Sequence, residues 1–215
     1  MVTPYLLPSL LSWWQPRILF RGDASRKVIY LTIDDAPTTA TGEILTVLAR
    51  HKVKATFFVI SGRIKSDAAL RQIVEAGHHL GNHLRTTVAC SKLGWENFTA
   101  DFDSTAAALK RVEAAKFFRP PSDFGSAGQL DYARSKGCIP VLGTVFPLDH
   151  WINDPWLLSM LVKWLAIPGG ILIMHDGETR GARTAAVLDK IIPALKDAGY
   201  EFGDLNDLTN LQPPN

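Results

Sequence analysis

Five short apolar runs, separated by stretches with helical spacing and trailed by polar residues, constrain this chain more than any other feature. They are residues 28–33, 55–60, 117–119, 138–142 and 171–174. Between the first two, Ile44, Leu45 and Leu48 recur at helical spacing from Thr41 to His51. Ser66 then offers an N-cap to a helix with Leu70, Ile73 and Val74 on one face and Gly77 as its stop. Phe98, Phe102, Leu109 and Val112 mark a longer helix, and another is expected around 129–136. A further helix, ended by Pro168-Gly169-Gly170, is expected to bury Trp156, Met160, Leu161, Trp164 and Leu165. The last starts near Thr184 and buries Leu188, Ile191, Ile192 and Leu195 before Gly199. Fully apolar strands alternating with helices predict an α/β fold with a parallel sheet covered by helices, open or closed into a barrel. Pattern alone does not choose between the two. The polar residues sit just after their strands, and in a parallel barrel all those carboxyl ends share one rim, which favours the barrel.

At 215 residues and 47% hydrophobic, the chain has material for one large core, and no repeat or linker divides it. Its 23 basic and 21 acidic residues are scattered without a run, so nothing suggests a nucleic-acid or membrane-surface patch. Cys90 and Cys138 are the only cysteines; one bridge or two free thiols both fit. The apolar stretch from Tyr5 to Trp14 is too short to span a bilayer and is broken by Pro8. No basic leader or small-residue cleavage site precedes Arg17. The protein is then intracellular, or secreted or surface-bound through a targeting segment outside this sequence. Residues 1–26 are expected to form an arm packed on the domain, because Trp13, Trp14, Ile18 and Phe20 are unfavourable to leave in water. The domain itself is expected over 27–210, with 211–215 as a tail.

The segment with most chemistry is Thr32-Ile33-Asp34-Asp35-Ala36-Pro37, in which two adjacent carboxylates end an apolar strand. Side chains alternate across a strand, but at a strand end the backbone turns and both can reach one pocket. One carboxylate can then bind a cation while the other takes a proton from water. The plainer alternative is a turn closed by ordinary Asp and Pro residues. Downstream come Gly77-His78-His79-Leu80-Gly81-Asn82-His83, Arg119-Pro120-Pro121, Leu148-Asp149-His150-Trp151 and Ile171-Leu172-Ile173-Met174-His175-Asp176-Gly177.

In that order, the five segments resemble the signatures of the polysaccharide deacetylases, carbohydrate esterase family four, across about residues 27–208. The resemblance implies a distorted (β/α) barrel of about seven parallel strands and metal-assisted removal of acetyl groups from a sugar. Its substrate would be an acetylated amino-sugar oligomer or polymer such as chitin oligosaccharide or peptidoglycan. The resemblance makes Asp34 the catalytic base, Asp35 and His83 metal ligands, and Arg119 the holder of the base carboxylate. His175 becomes the acid that protonates the leaving amine, supported by Asp149, with Pro120, Trp151 and Ile173 against the substrate. The implied cofactor is a divalent metal, zinc with cobalt as the other choice. His78 and His79 read as packing residues, and which of Asp149 and His150 faces the site is open.

One position departs from the family pattern. Four residues beyond His83 the family places a second metal histidine, and this chain has Thr87. A hydroxyl is a poor zinc ligand, and catalytic zinc usually takes three protein donors. Asp123, His150 or Cys90 could substitute, but spacing selects none. A catalytically impaired relative that binds carbohydrate or a partner in the old groove is therefore the alternative function.

Overall fold

The structure is a computed structural model that describes residues 14–149, 151–177 and 181–210. Its strands are β1 (Val28–Ala36), β2 (Thr56–Val59), β3 (His79–Asn82), β4 (Phe117–Phe118), β5 (Ile139–Pro140), β6 (Ile171–His175) and β7 (Glu201–Gly203). The helices are α1 (Thr41–His51), α2 (Asp67–Glu75), α3 (Trp95–Lys110), α4 (Ala127–Ser135), α5 (Pro155–Leu165) and α6 (Gly181–Asp197). All paired strands run parallel, in the order β5-β4-β3-β2-β1-β6, with β7 also beside β1. The sheet curls into a distorted barrel. Its opening between β5 and β6 is spanned by residues 141–145, where Val145 bridges Leu172 and Val141 bridges Leu19.

Alternation along β1 divides the interior. Ile29, Leu31 and Ile33 pack outward with Ile44 and Leu48 of α1 and Leu188 and Ile191 of α6. Val28 and Tyr30 point inward with Phe58, Phe117, Val141 and Ile171 and plug the amino-terminal end of the barrel. A third cluster under α3 and α4 gathers Phe98, Phe102, Phe118 and Leu130, together with Ile18 and Phe20 from the segment before β1. In that segment Ile18 and Phe20 are both 2% exposed. Trp14 is instead 58% exposed, with its ring edge-on to Phe124 at 5.4 Å. Trp13 lies outside the described residues. Cys90 and Cys138 are free thiols, which burial pushes up to about 12 and about 11. No helix among the described residues is long and apolar enough to cross a membrane.

One expectation is reversed. Helix α5 starts where sequence chemistry says it should, with Asp154 accepting from the Trp156 and Leu157 amides and Pro155 in its first turn. It packs through Leu158, Ser159 and Val162, however, leaving Trp156 (64% exposed), Met160 (47%) and Trp164 (69%) in solvent and Leu161 and Leu165 half-buried. The helix is apolar almost all round, so two stripes satisfy the helical period, and only docking against α6 selects one.

Candidate active site

Two consecutive acids reach one cavity because β1 carries a bulge. Asp34 pairs with Phe58 and Ala36 with the next residue, Val59, so Asp35 is an extra residue in the ladder. Asp35 adopts φ 70°, a left-handed conformation that Asp tolerates better than most residues. Its carbonyl accepts from the Arg63 guanidinium. The strand thus continues past both acids, and the turn anticipated at its end is made within it.

Asp34 lies on the barrel's inner face, 4% exposed, one layer above Thr32. Arg119, just past β4 and 1% exposed, reaches both of them. Its Nη1 lies 2.5 Å from Asp34 Oδ1 and 2.8 Å from Thr32 Oγ1, and its Nε donates to the Val141 carbonyl at 3.3 Å. The guanidinium also sits 4.1 Å over the Phe58 ring. Burial pushes the Arg119 pKa down, and the Asp34 charge opposes that shift. A bonded ion pair is what allows either charge to remain inside.

His83 follows β3, with its amide on the Val59 carbonyl at 3.1 Å and its Nδ1 2.7 Å from the Arg119 carbonyl. Nδ1 therefore carries the proton and Nε2 presents a lone pair, 3.9 Å from Asp35 Oδ1. Burial lowers the His83 pKa, against the raising effect of Asp34 and Asp35, and favours the neutral, ligating form.

On the opposite side, His175 ends β6. The Asp149 carboxylate accepts from its amide at 3.0 Å and from Nδ1 at 2.8 Å, leaving Nε2 facing Asp34 Oδ2 at 3.9 Å. Asp149, 0% exposed, is thus the member of the Asp149-His150 pair that supports the histidine; His150 lies outside the described residues. Arg183 of α6 donates to the Asp149 carbonyl at 2.7 Å and to the Asn153 side chain, steadying that loop.

These groups share a cavity of about 550 Å³ that also includes Thr87, Pro120 and Ile173 in its lining. Trp151 does not line it and is 74% exposed. His78 and His79 lie at the far end of β3. The His78 Nδ1 accepts from the Ala55 amide, and the His79 ring nitrogens meet Glu113 and Asp204, both at 2.9 Å. Sequence reasoning missed Phe20, Phe124 and Phe146, which make the cavity wall aromatic, and it missed Arg63. Phe124 follows the Pro120-Pro121 pair by three residues; no local signal marks any of the four.

The donor set fits a divalent cation only in part. Asp35 and His83 provide a carboxylate and an imidazole. Among the described residues, no group of three His, Cys, Asp or Glu side chains is placed to hold a metal. Asp123 lines the cavity, but its oxygens accept from the amides of Ser91 and Gly125. Cys90 is fully buried beside Gln129.

Sequence and fold comparisons find proteins similar to this chain. A model of the polysaccharide deacetylase family matches residues 21–139. A peptidoglycan-N-acetylglucosamine deacetylase of Bacillus cereus (strain ATCC 14579) is 32% identical over 196 residues, covering 86% of this chain and 89% of that protein. Among solved structures, a peptidoglycan N-acetylglucosamine deacetylase superposes with a TM-score of 0.86 at 27% identity, over 95% of this chain and 98% of its own. A mutant of a Bacillus anthracis family-four pseudoenzyme with restored enzymatic activity superposes with a TM-score of 0.83 at 29% identity, over 91% of this chain and 72% of its own. With the family model covering more than half of its length and the relatives most of it, the chain belongs to the polysaccharide deacetylase family.

Proposed function

We propose that this protein hydrolyses acetyl groups, N-acetyl foremost, from a glycan containing N-acetylglucosamine, of the chitin-oligosaccharide or peptidoglycan kind. The observation that carries the reading is the opposition of Asp34 and His175 across one cavity, 3.9 Å apart, each braced by a partner of its own. Asp34, oriented by Arg119, takes a proton from the attacking water. His175 has Nδ1 engaged by Asp149, so Nε2 is the atom that hands a proton to the leaving amine. Phe124 and Phe146 in the cavity wall supply aromatic surface against which a sugar can pack. Asp35 and His83 would hold a divalent cation, zinc or cobalt. When bound, that ion supplies Lewis-acid polarisation of the acetyl carbonyl.

A second reading is supported by Thr87, which stands where the family has a metal histidine. With a two-donor site, the protein would bind the glycan without turning it over. Metal analysis of the purified protein, combined with acetate release from N-acetylglucosamine oligomers, peptidoglycan and acetylated xylan, tests both. Zinc-stimulated release from an N-acetylated substrate supports the first reading. No release from any of the three, with glycan binding intact, overturns it in favour of the second.

A further inference from the structure

We propose that Asp176 is a positioning residue for the Asp34–His175 pair, its side chain fastening the loop between β1 and α1 to the end of β6. The kinetic part of this inference rests on the deacetylase reading above; the fastening itself rests on geometry.

Asp176 is 0% exposed, and among the described residues its carboxylate is hydrogen-bonded by neutral hydroxyls and forms no ion pair, the Arg63 charge acting on it only from a distance. Such a charge is unfavourable to bury unless hydrogen bonds compensate it. What the carboxylate does is local. Thr38 Oγ1 donates to Oδ1 at 2.6 Å, and Thr41 Oγ1 donates to Oδ2. Each hydroxyl in turn accepts a loop amide, Thr38 Oγ1 from Ala40 at 3.1 Å and Thr41 Oγ1 from Thr38 at 2.8 Å. Asp176 is therefore the terminal acceptor of a network that fixes the loop backbone directly after Asp34 and Asp35. Its own amide donates to the Asp34 carbonyl at 2.7 Å, so main chain and side chain grip the same segment.

The other side of the knot is closed by α6. A Cβ on Gly181 would come within 2.2 Å of Ala40 Cβ and 2.9 Å of Asp176 Oδ1, so the helix start presses directly on the loop and the carboxylate. Thr184 Oγ1 donates to the His175 carbonyl at 2.8 Å. Base and acid are thereby attached to one buried knot, Asp34 through its carbonyl and His175 through the adjoining peptide. A drift of about 1 Å between such groups is enough to lower turnover by about a hundredfold.

The test compares the full-length protein with Asp176→Ala, Asp176→Asn and Thr38→Val by amide hydrogen exchange and by steady-state deacetylation of N-acetylglucosamine oligomers. Asp176→Ala should speed exchange across residues 36–41 while β2 and β3 stay protected. Its kcat should fall about tenfold to a hundredfold with KM within about twofold. Asp176→Asn, which still accepts one hydroxyl, should recover most of both losses. If Asp176→Ala does not fold, Thr38→Val carries the same comparison. Unchanged exchange at 36–41 overturns the inference, as does a kcat loss that only tracks a fallen melting temperature and is not rescued by Asn. If the wild type itself releases no acetate, the deacetylase reading fails, and the exchange measurement alone still decides whether Asp176 fastens the loop.

Discussion

Replacing Arg119 by Met should expose how much of this fold is arranged around one buried charge pair. Arg119 is 1% exposed and Asp34 4%, with 2.5 Å between Nη1 and Oδ1. Methionine keeps length and flexibility but removes the charge and the donors to Asp34, Thr32 and Val141. Thr32 Oγ1 keeps its own bond to the Leu172 carbonyl at 2.8 Å, so the main penalty falls on an uncompensated Asp34. Breaking a buried pair from one side destabilises by about 3–5 kcal/mol. For a chain of this size that is a fall in melting temperature of roughly 6–20 °C. Asp34→Asn in the Arg119→Met background removes the stranded charge and should recover about half of the loss or more. Urea denaturation followed by far-ultraviolet circular dichroism reads all four corners of this cycle, provided the denaturant dependence stays constant. A loss below about 1 kcal/mol for Arg119→Met, or no recovery from the added Asn, would refute the argument that the guanidinium exists to house the Asp34 carboxylate.

Other outcomes follow from the same geometry. Asp34→Asn, which also strands the Arg119 charge and lowers stability, and His175→Ala should each lower turnover by about a hundredfold or more when assayed well below their melting temperatures; full activity in either purified variant removes that residue from the mechanism. Thr87→His would give a carboxylate and two imidazoles around the cavity and should tighten zinc about tenfold or more in competition with a chromophoric chelator, with acetate release rising alongside. Native protein that already holds one tight zinc, and a variant that neither binds nor turns over better, would mean that an unidentified ligand completes the site. His78 is 3% exposed, its Nδ1 accepts from the Ala55 amide, and burial, aided by the His79 and Lys54 charges, pushes its pKa down from 6.5 to about 4. The unfolded chain therefore binds this proton first, so stability is lost as pH falls from 6.5 towards 4. His78→Gln should remove about 2–3 kcal/mol of the stability difference between pH 7 and roughly 4.5; identical pH profiles for the two proteins would contradict this assignment.

What the sequence determined by itself was local or periodic. Helix α1 runs over Thr41–His51, the span its apolar spacing marks, and β1, β2, β4, β5 and β6 fall within a few residues of their apolar runs, because a residue's preference for strand or helix shows in its near neighbours; β3 and β7, which lack such runs, were not marked. The convergence of Asp34, Asp35, Arg119 and His175 was also legible: each follows or ends an apolar run, and a parallel barrel returns every such end to one rim. His83 follows β3, which no apolar run marks, and only the family resemblance pointed to it. Tertiary structure alone decided the rest. The bulge that turns Asp35 into the cavity exists only in the pairing of β1 with β2. The buried face of α5 was chosen by α6, not by its own nearly uniform apolar surface. Asp176 meets Thr38 across 138 positions, and Phe20, Phe124 and Phe146 enter one wall from three separate segments. Such contacts depend on where the chain returns in space, and no spacing along the sequence carries that information.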